Sequence, residues 1–454
     1  MSVHATADSA AGAAHAVLFG LDPMLLSAAI LVASYAVLLS EKVNRTVVAL
    51  LGGAMVIVTG LASQAQAFAA IDFNTIALLT GMMIIVAVTR ASGVFEFVAI
   101  WSAKKVKADP VGVLIVLTLV TAVFSAFLDN LTTVLLVVPI ALLIVEKLKV
   151  SPYPFLFSQI LASNIGGTAT LIGDPPNILI GSATGLSFMQ FLTELGPVVV
   201  VILIVMVPVF NVLWGKELVT TIELRERIMR FRESESIRDK NLLIKSLSVL
   251  ALVIVGFIVG EQFHIPPGTI AMLGASVLLL ITGFGLSQKD QAEKVHEALS
   301  EVEWSALLFF AGLFVIVAGV EHAGLLSILG GMLMEFTGGD AMTTSFATLW
   351  LAAIVSAAVD NIPFVATMIP LVESMEAGLG GKDALEPVWW SLALGACLGG
   401  NGSLVGAAAN VMVAGLSERA GHPISFAKFL KLGLPLMLVT IVIANVYLYL
   451  RHFM

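Results

Sequence analysis

The sequence predicts an all-α polytopic membrane protein with two inverted repeats, about ten transmembrane spans, two re-entrant hairpins and discontinuous helices at the midplane. Three observations lead to this prediction. Hydrophobic residues make up 59% of the 454 residues and charged residues only 12%, whereas a soluble domain carries roughly 25% charged residues. Apolar runs long enough to span a bilayer recur along the chain. Landmark residues of the first half also return in the second half at a fixed offset, which is typical of transporter folds.

The internal repeat is clearest at an Asp-Asn pair that occurs in two separate apolar segments. Asp129-Asn130 returns in the second half of the chain as Asp360-Asn361. The same offset relates three further pairs, namely Gly81 with Gly312, Gly93 with Gly324, and Pro139 with Pro370. An offset that stays constant over so much of the chain indicates an internal duplication rather than chance matches of common residues.

The composition divides the chain into four predicted segments. Residues 1–23 are expected to be an N-terminal tail, because they are small and polar and lack the basic region of a cleavable signal peptide. Residues 24–215 form inverted repeat 1, and residues 241–454 form inverted repeat 2. Between them, residues 216–240 alternate Arg with Glu, which predicts a solvated cytoplasmic linker.

The apolar runs define the spans of each repeat. Those of repeat 1 lie at about 24–40, 46–62, 73–91, 113–127 with 131–145, 153–185 and 196–215. Those of repeat 2 lie at about 242–260, 268–286, 304–320, 343–358 with 361–375, 386–417 and 432–450. A run of about 15 residues makes a helix of roughly 22 Å, shorter than the ~30 Å hydrocarbon core. Each pair of short runs therefore predicts a hairpin whose Asp-Asn tip stops inside the membrane; the alternative is two short full spans with the tip at the far surface.

The distribution of basic residues predicts the orientation of the chain. Each half crosses the membrane an odd number of times, so two homologous halves must be inverted relative to each other. With the N-terminus outside, 21 of the 23 Lys and Arg residues fall in cytoplasmic segments, and only Lys382 and Arg451 fall outside. This agrees with the positive-inside rule. The prediction is a bacterial inner membrane protein with both termini in the periplasm and lipid around its spans.

A second polar motif interrupts the apolar run 153–185. It reads Asn164-Ile165-Gly166-Gly167-Thr168-Ala169-Thr170-Leu171-Ile172-Gly173-Asp174-Pro175-Pro176-Asn177. Its counterpart reads Gly399-Gly400-Asn401-Gly402-Ser403-Leu404-Val405-Gly406-Ala407-Ala408-Ala409-Asn410, without Asp or Pro. The paired glycines are expected to release the backbone from the helix, and the prolines suit the first turn of a new half-helix capped by Asp174. Unwound backbone at this depth is tolerated only where it lines a cavity or is buried in protein.

The polar residues of both motifs have a structural alternative beside the functional one. An ionisable residue at membrane depth is costly and usually marks a substrate or ion pathway, but Asp and Asn are also common helix caps. Interhelical hydrogen bonding is the alternative role of four asparagines, Asn164, Asn177, Asn401 and Asn410. Their position beside the glycine breaks favours a site. Cys397, the only cysteine, is expected to be a small packed residue.

The motifs resemble those of the ion transporter superfamily, and within it the branch of ArsB, NhaD and the melanosomal P protein. The likeness rests on Asp129-Asn130-Leu131-Thr132 and on the motif that ends at Asn177, and it extends over nearly the whole chain. It implies ten spans and two opposed hairpins, with substrate held between the hairpin tips and the broken helices. Related dicarboxylate/sodium symporters carry Ser at the tip positions where this chain has Asp129 and Asp360.

The chemistry of these residues narrows the substrate. Two or three carboxylates with no intramembrane Lys or Arg would repel a dianion, so a cation or a neutral polyhydroxyl species is favoured. Arsenite and antimonite are largely uncharged trihydroxides near neutral pH, and Asp, Asn and Thr can hydrogen-bond their hydroxyls. A single cysteine cannot form a three-thiolate arsenic site. The sequence therefore predicts an ArsB-like secondary transporter, not an enzyme, that exports arsenite or antimonite in exchange for protons.

In this hypothesis Asp129, Asp360 and Asp174 couple transport to protons. Substrate binding is expected at the polar residues around them, Asn130, Thr132, Asn361, Thr170, Ser403, Asn164, Asn401, Asn177 and Asn410. The backbone breaks are expected at Gly166, Gly167, Gly399 and Gly400. No cofactor, metal ion or nucleic acid is expected. The coupling ion is H⁺, with Na⁺ as the alternative, and a separate ArsA-type ATPase is a partner that the resemblance allows.

Three other functions remain open. A sodium/proton antiporter of the NhaD kind would use the same acids and carbonyls. An intramembrane aspartyl protease also needs two membrane-embedded acids, and Gly173-Asp174 provides one of them, but such enzymes do not require inverted repeats. A passive channel is the third, and counterflow between preloaded vesicles separates it from a carrier.

Overall fold

The computed structural model describes residues 20–40 and 42–454, and every regular element in this part of the chain is helical. The tail predicted over residues 1–23 lies almost entirely outside these residues. The first half contains α1 (Pro23–Ser40), α2 (Arg45–Val58), α3 (Gln64–Ala69), α4 (Phe73–Ala91), α5 (Val94–Lys105), α6 (Pro110–Phe127), α7 (Asn130–Leu148), α8 (Tyr153–Gly167), α9 (Pro175–Thr184), α10 (Phe188–Trp214) and α11 (Ile222–Met229). The second half contains α12 (Lys240–Gly260), α13 (Pro267–Gly283), α14 (Gln288–Ser300), α15 (Trp304–His322), α16 (Leu325–Thr337), α17 (Ala341–Ala358), α18 (Asn361–Ser374), α19 (Glu376–Leu379), α20 (Lys382–Gly399), α21 (Ala408–Arg419) and α22 (Phe426–Leu448).

The helices confirm the predicted all-α polytopic class. Within the described ranges, nine helices are long and apolar enough to cross a membrane, and α2, α13 and α16 are shorter apolar helices. Several of these apolar helices expose large apolar side chains, for example Leu25 on α1, Ile204 on α10 and Leu280 on α13. Apolar surface on this scale is expected where a protein meets a membrane.

The chain divides into two compact units, of which one comprises the residues up to Asp72 together with Trp304–Leu329. Its main contact joins α2 and α15. A Cβ atom on Gly312 would lie 2.5 Å from the carbonyl carbon of Ala49, so only glycine allows the two backbones to approach this closely. Close approach at small residues is the usual way in which membrane helices associate.

The other unit comprises Phe73–Glu303 and Gly330–Met454. It contains a matching contact between α4 and α13, where a Cβ atom on Gly81 would lie 2.5 Å from the carbonyl carbon of Ala271. Gly81 and Gly312 are separated by the offset of the internal repeat. The two glycines that the repeat pairs in sequence therefore perform the same packing role, one in each unit.

Both predicted pairs of helices joined at an Asp-Asn tip are present, α6 with α7 and α17 with α18. The helices α6 and α7 have 18 and 19 residues, which makes each of them roughly 27–29 Å long. They are longer than the apolar runs that predicted them, because terminal turns that carry caps or charges are helical without being apolar. One such turn begins α6, where Asp109 caps the helix and Pro110 occupies its first position.

The predicted linker, residues 216–240, is partly helical and is fastened to α5. Lys104 Nζ lies 2.5 Å from Glu233 Oε2, and Arg238 N donates to Ser92 O at 3.0 Å. Both contacts hold the linker near the end of α4 and along α5, which leads into the first hairpin. The linker is therefore an attached segment rather than a free loop.

Candidate functional site

Two interrupted helices lie in the same unit as both hairpins. The helix α8 ends at Gly167, residues 168–174 form no regular element, and α9 begins at Pro175. The helix α20 ends at Gly399, a short 3-10 helix covers Gly400–Gly402, and α21 begins at Ala408. These are the discontinuous helices that the sequence predicts.

The glycines at the two breaks act differently from the prediction. None of Gly166, Gly167, Gly399 and Gly400 has a positive φ, so the helices do not end there because glycine adopts a left-handed conformation. A Cβ atom on Gly166 would instead lie 2.1 Å from Ala122 O on α6, and one on Gly399 would lie 2.7 Å from the Cα of Ala353 on α17. Gly166 and Gly399 are needed because a hairpin helix packs directly against the backbone at these two positions. A Cβ atom on Gly167 or Gly400 would instead meet the backbone of its own break, at Gly173 O or Gly406 O.

Hydroxyl groups fasten each hairpin to its neighbouring break. Ser125 Oγ, in the last turn of α6, donates to Ser163 O at 2.6 Å, and Thr170 Oγ1 donates to Ala126 O at 2.5 Å. The second repeat has the same two contacts, Ser356 Oγ to Ala396 O at 2.6 Å and Ser403 Oγ to Ala357 O at 2.5 Å. The hydroxyl hydrogens of Thr170 and Ser403, predicted to orient substrate, are thus engaged by the protein itself.

Sequence reasoning missed Ser125 and Ser356, although the repeat contained a signal for both. The two serines are separated by the same offset that relates the hairpin acids. Both are fully buried within apolar helices. The recurrence of a polar residue at the repeat offset, inside two apolar runs, was a signal that would have identified both serines.

Two asparagines hold the unwound backbone of the breaks. Asn177 Nδ2 donates to Thr168 O at 3.1 Å and to Thr170 O at 2.8 Å. In the second repeat, Asn410 Nδ2 donates to Gly400 O at 2.7 Å and to Ser403 O at 2.8 Å. A backbone carbonyl that has left a helix needs a new donor when no water can reach it. The donor capacity of both side chains is therefore used to stabilise the breaks.

A chain of buried amides connects the first hairpin tip with both breaks. Asn130 Nδ2 donates to Asn164 Oδ1 at 3.1 Å. Asn164 Nδ2 in turn donates to Asn401 Oδ1 at 3.0 Å and to Asn410 Oδ1 at 2.9 Å. All four side chains are buried. The structure thus brings these four predicted site residues together, and Asn164 is the residue through which this chain of amides joins the two repeats.

Cys397 occupies the position in the second repeat that Asn164 has in the first, at the offset that also relates Asn177 to Asn410. Its Sγ donates to Asn177 Oδ1 at 3.4 Å, and the thiol lies beside the carboxylate of Asp174. Each interrupted helix therefore sends one side chain into the break of the other repeat. The expectation that Cys397 would be only a small packed residue missed this contact.

Asp174 lies at the first position before α9 but does not cap it. A capping carboxylate accepts from the N–H of the second or third helical residue. Pro176 at the second position has no N–H, and Asn177 N at the third position donates to the backbone Asp174 O at 3.0 Å. The predicted capping role of Asp174 is therefore wrong. Its Oδ1 accepts instead from Asn361 Nδ2 at 3.3 Å, while its Oδ2 is buried without a hydrogen-bond donor.

The two hairpin acids are helix caps. Asp129 Oδ1 accepts from Thr132 N at 2.8 Å, and its Oδ2 accepts from the Thr132 hydroxyl. Asp360 Oδ1 accepts from Ile362 N at 3.1 Å. Both side chains are half-buried, and both are close enough to repel the charge of Asp174. The structural alternative considered from the sequence thus describes their local contacts, while their proposed coupling role stays a prediction.

Several buried polar atoms of the hairpin and interrupted helices lack a hydrogen-bond partner within the described part of the protein, including Thr133 Oγ1 and both amide atoms of Gln159. Among the predicted site residues, one acceptor and one donor are of this kind. The acceptor is Asp174 Oδ2 and the donor is Asn401 Nδ2, and both atoms are buried without a partner. No Lys or Arg is buried among the residues that the structure describes. In the same part of the chain, no group of three or more His, Cys, Asp or Glu side chains is arranged to hold a metal ion. The arrangement suits an uncharged ligand that both donates and accepts hydrogen bonds.

Comparison with known proteins places this architecture among transporters. The profile of a family described as "Citrate transporter", CitMHS, matches residues 35–395. An uncharacterized transporter of Mycobacterium tuberculosis is 43% identical to this chain, over an alignment that covers 94% of this chain and 99% of that protein. The P protein of Homo sapiens is 32% identical over 94% of this chain and 60% of its own length. The Alcanivorax borkumensis YdaH transporter shares the fold at 13% identity, with a TM-score of 0.61 over 95% of this chain and 98% of that chain.

Proposed function

This chain belongs to the CitMHS citrate transporter family of the ion transporter superfamily, and we propose that it exports arsenite and antimonite in exchange for protons. Membership makes it a multi-pass membrane secondary transporter and not an enzyme. The metalloid substrate, the proton coupling and the specific likeness to ArsB are parts of the proposal. Each rests on the chemistry of the buried site.

The observation that carries the proposal is the unused acceptor and donor pair, Asp174 Oδ2 and Asn401 Nδ2. Leaving a buried polar atom without a partner costs about 1–3 kcal/mol, and more when the group is charged. Arsenite as As(OH)₃ presents hydroxyl hydrogens to the carboxylate and hydroxyl oxygens to the amide. In the proposed site, one such molecule bonds to both atoms.

The distribution of charge argues against a free polyanion such as citrate, which the family description names. Asp129, Asp174 and Asp360 are the acids near the site, and the described residues include no buried Lys or Arg to offset a negative ligand. Bringing a carboxylate ligand beside three carboxylates at membrane depth would be strongly unfavourable. A neutral ligand avoids this repulsion.

The same acids supply a route for proton coupling. Three neighbouring carboxylates repel one another when all are ionised, and a proton on one of them relieves that repulsion. In the proposed cycle, ionised Asp174 Oδ2 accepts from a substrate hydroxyl. A proton that binds Oδ2 turns this oxygen into a donor, which weakens its hydrogen bond to the substrate hydroxyl and favours release. Asp129 and Asp360 pass protons between Asp174 and the two sides of the membrane.

A sodium/proton antiporter is the second candidate, because Na⁺ is coordinated by oxygen atoms and Asp174 Oδ2 is a free carboxylate oxygen. Asn401 Nδ2 separates the two candidates. An amide N–H cannot coordinate a cation, so the unused donor has no role in a sodium site but has one in a site for a trihydroxide. We further propose an inner membrane location with both termini periplasmic, and a separate ArsA-type ATPase as an accessory partner.

Purified full-length chain in proteoliposomes tests the proposal. An imposed pH gradient should drive uptake of arsenite and antimonite, with no Na⁺-dependent dissipation of the gradient and no citrate uptake. Asn401→Leu, which removes the unused donor at similar volume, should lower metalloid uptake more than ten-fold. The matched control Asn445→Leu changes an amide on α22 that bonds Trp350 and should leave uptake unchanged. Dissipation of the gradient by Na⁺ without metalloid uptake would replace the proposal with the antiporter.

A further inference from the structure

A cavity of about 630 Å³ lies apart from the amide network, and its walls come from two different groups of helices. Leu171 and Ile178 line it from the interrupted segment and α9, while Leu78, Phe257 and Ile270 line it from α4, α12 and α13. Leu171 precedes Asp174 closely in the chain. The cavity therefore borders the interrupted segment and α9, between which Asp174 with its unused carboxylate oxygen lies.

The lining of the cavity is mostly apolar, and the Asn74 side chain within it is hydrogen-bonded to other protein groups. The rings of Phe188 and Phe257 lie 5.9 Å apart in the wall. Asn74 Nδ2 donates to Ser182 Oγ at 3.1 Å, and Asn74 Oδ1 accepts from Gly268 N at 2.9 Å. A ligand in this space would consequently gain free energy from apolar contact rather than from internal hydrogen bonds.

The mouth of the cavity carries one negative charge. Glu261 and His264 line it, and both are exposed. Across residues 20–40 and 42–454, no ion pair to Glu261 is found. His264 adopts a left-handed backbone conformation, with φ of 55°, and its N–H donates to Glu261 O at 3.1 Å. This turn follows α12 and lies at the cavity rim, on the side of the membrane predicted to be periplasmic.

We propose that this cavity is a binding site for an organic cation with an apolar body, entering from the predicted periplasmic side. The apolar walls and the aromatic pair receive the body, and Glu261 attracts the positive charge. The volume lies within the range of pockets that hold small molecules of drug size. An anion of the same shape would be repelled by the Glu261 carboxylate, and no Lys or Arg among the described residues lines the cavity to offset this repulsion.

Occupancy of this site inhibits transport without competing for the substrate site. A ligand in contact with both walls fixes Leu171 and Ile178 against α4 and α13, and so opposes any movement of the interrupted helix between states. This consequence rests on the proposed transport function. The binding itself does not, so the two are measured separately.

Equilibrium dialysis of the purified chain with tetraphenylphosphonium tests the site, with tetraphenylborate as the size-matched anion. Saturable binding of one tetraphenylphosphonium ion per chain is expected, with at least ten-fold weaker binding of the borate. Glu261→Gln should weaken binding of the cation about three- to five-fold, the effect expected of an exposed charge pair. Glu335→Gln, which removes an exposed charge on α16 on the same predicted side, should have no effect.

A cavity-filling variant tests the location. Leu186 lines the cavity and is half-buried, so Leu186→Trp should abolish saturable cation binding while the thermal transition of the protein is retained. In proteoliposomes held at fixed membrane potential, tetraphenylphosphonium should inhibit the wild-type protein and not Leu186→Trp. Unchanged cation binding in Leu186→Trp, or equal binding of cation and anion, would overturn the proposal. If the wild type transports none of the substrates, the dialysis result still decides whether the binding site exists.

Discussion

Asn361, at the tip of the second hairpin, donates its Nδ2–H to Oδ1 of Asp174 at the break of the first interrupted helix, at a distance of 3.3 Å. This hydrogen bond joins residues 187 positions apart, one from each repeat. The amide that donates to this buried carboxylate thus comes from the hairpin whose acid, Asp360, is proposed to carry protons. The contact makes the charge of Asp174 and the position of the hairpin interdependent.

Removing this donor should destabilise the protein because it leaves Oδ1 of the buried Asp174 carboxylate without its hydrogen bond from Asn361. Asn361→Leu has a similar volume and should lower the free energy of unfolding by about 2–3 kcal/mol, measured as a lower thermal transition in detergent. Asp174→Asn in the Asn361→Leu background should recover part of this loss, because it removes the buried charge. Strictly additive effects of the two substitutions would show that the bond does not couple them.

The capping and coupling roles of Asp129 can be separated by substitution with serine. Ser caps helices about as well as Asp, so Asp129→Ser should change stability by less than about 0.5 kcal/mol, whereas Asp129→Ala should cost about 1 kcal/mol. If Asp129 also carries protons, Asp129→Ser should abolish the dependence of transport on the pH gradient even though the stability of the protein is retained.

Asp340 provides the control for this experiment. Asp340 Oδ2 accepts from Thr343 N and Thr343 Oγ1 at 2.8 and 2.7 Å. Asp129 accepts from the same two groups of Thr132, one on each carboxylate oxygen, whereas Asp340 lies at an exposed helix end. The Thr343 hydrogen bonds lower the pKa of Asp340. Asp340→Ser should leave gradient-driven transport intact. Equal transport in both serine variants would restrict Asp129 to its capping role.

Close packing at the break makes Gly166 sensitive to a single methyl group. Because the new Cβ would lie 2.1 Å from Ala122 O, Gly166→Ala must shift α6 or α8 and should cost about 2–3 kcal/mol. Gly415→Ala in α21 is the matched control, since a Cβ there meets nothing within 4 Å. It should be neutral or stabilise the protein by up to about 1 kcal/mol. Equal thermal transitions for the two variants would contradict the packing role of Gly166.

The attachment of the linker should depend on the ionisation of Glu233. The hydrogen bond from Lys104 lowers the pKa of Glu233, so the stabilisation is present above the ordinary glutamate pKa of about 4.3. It is lost as the pH falls through the lowered pKa of the folded protein. Glu233→Gln should increase amide hydrogen exchange in Glu233–Ser236 at neutral pH, after correction for intrinsic rates. Glu235→Gln, which affects only an exposed pair with Arg232, should not.

The features that sequence predicted correctly are those set by periodicity and repetition. The offset between Gly81 and Gly312 identified two glycines that perform the same packing role, and the Asp-Asn pairs located both hairpin tips. The change of composition around Gly166 and Gly399 located the interruptions of α8 and α20. Each of these signals depends on the local pattern of residues, which the fold preserves in both copies.

The features that sequence did not predict depend on which side chains meet across the repeats. The role of Asp174 was misjudged because Pro176 lacks an N–H group and the N–H of Asn177 donates to the backbone oxygen of Asp174. The side chain of Asp174 therefore has a different partner. The thiol of Cys397 meets Asn177 because α20 reaches into the opposite break. No pattern along one segment specifies such a contact, although the repeat offset between Asn164 and Cys397 indicated that they are equivalent.

The most direct test of the account is pH-gradient-driven arsenite uptake by proteoliposomes that contain the wild-type chain or Asp174→Asn. The wild-type protein should accumulate arsenite when a gradient is imposed, and an uncoupler should abolish the accumulation. Asp174→Asn should retain the fold, measured by its thermal transition, and lose at least ten-fold in gradient-driven uptake. Uptake by Asp174→Asn at the wild-type rate with the same dependence on pH would contradict the central role assigned to this carboxylate.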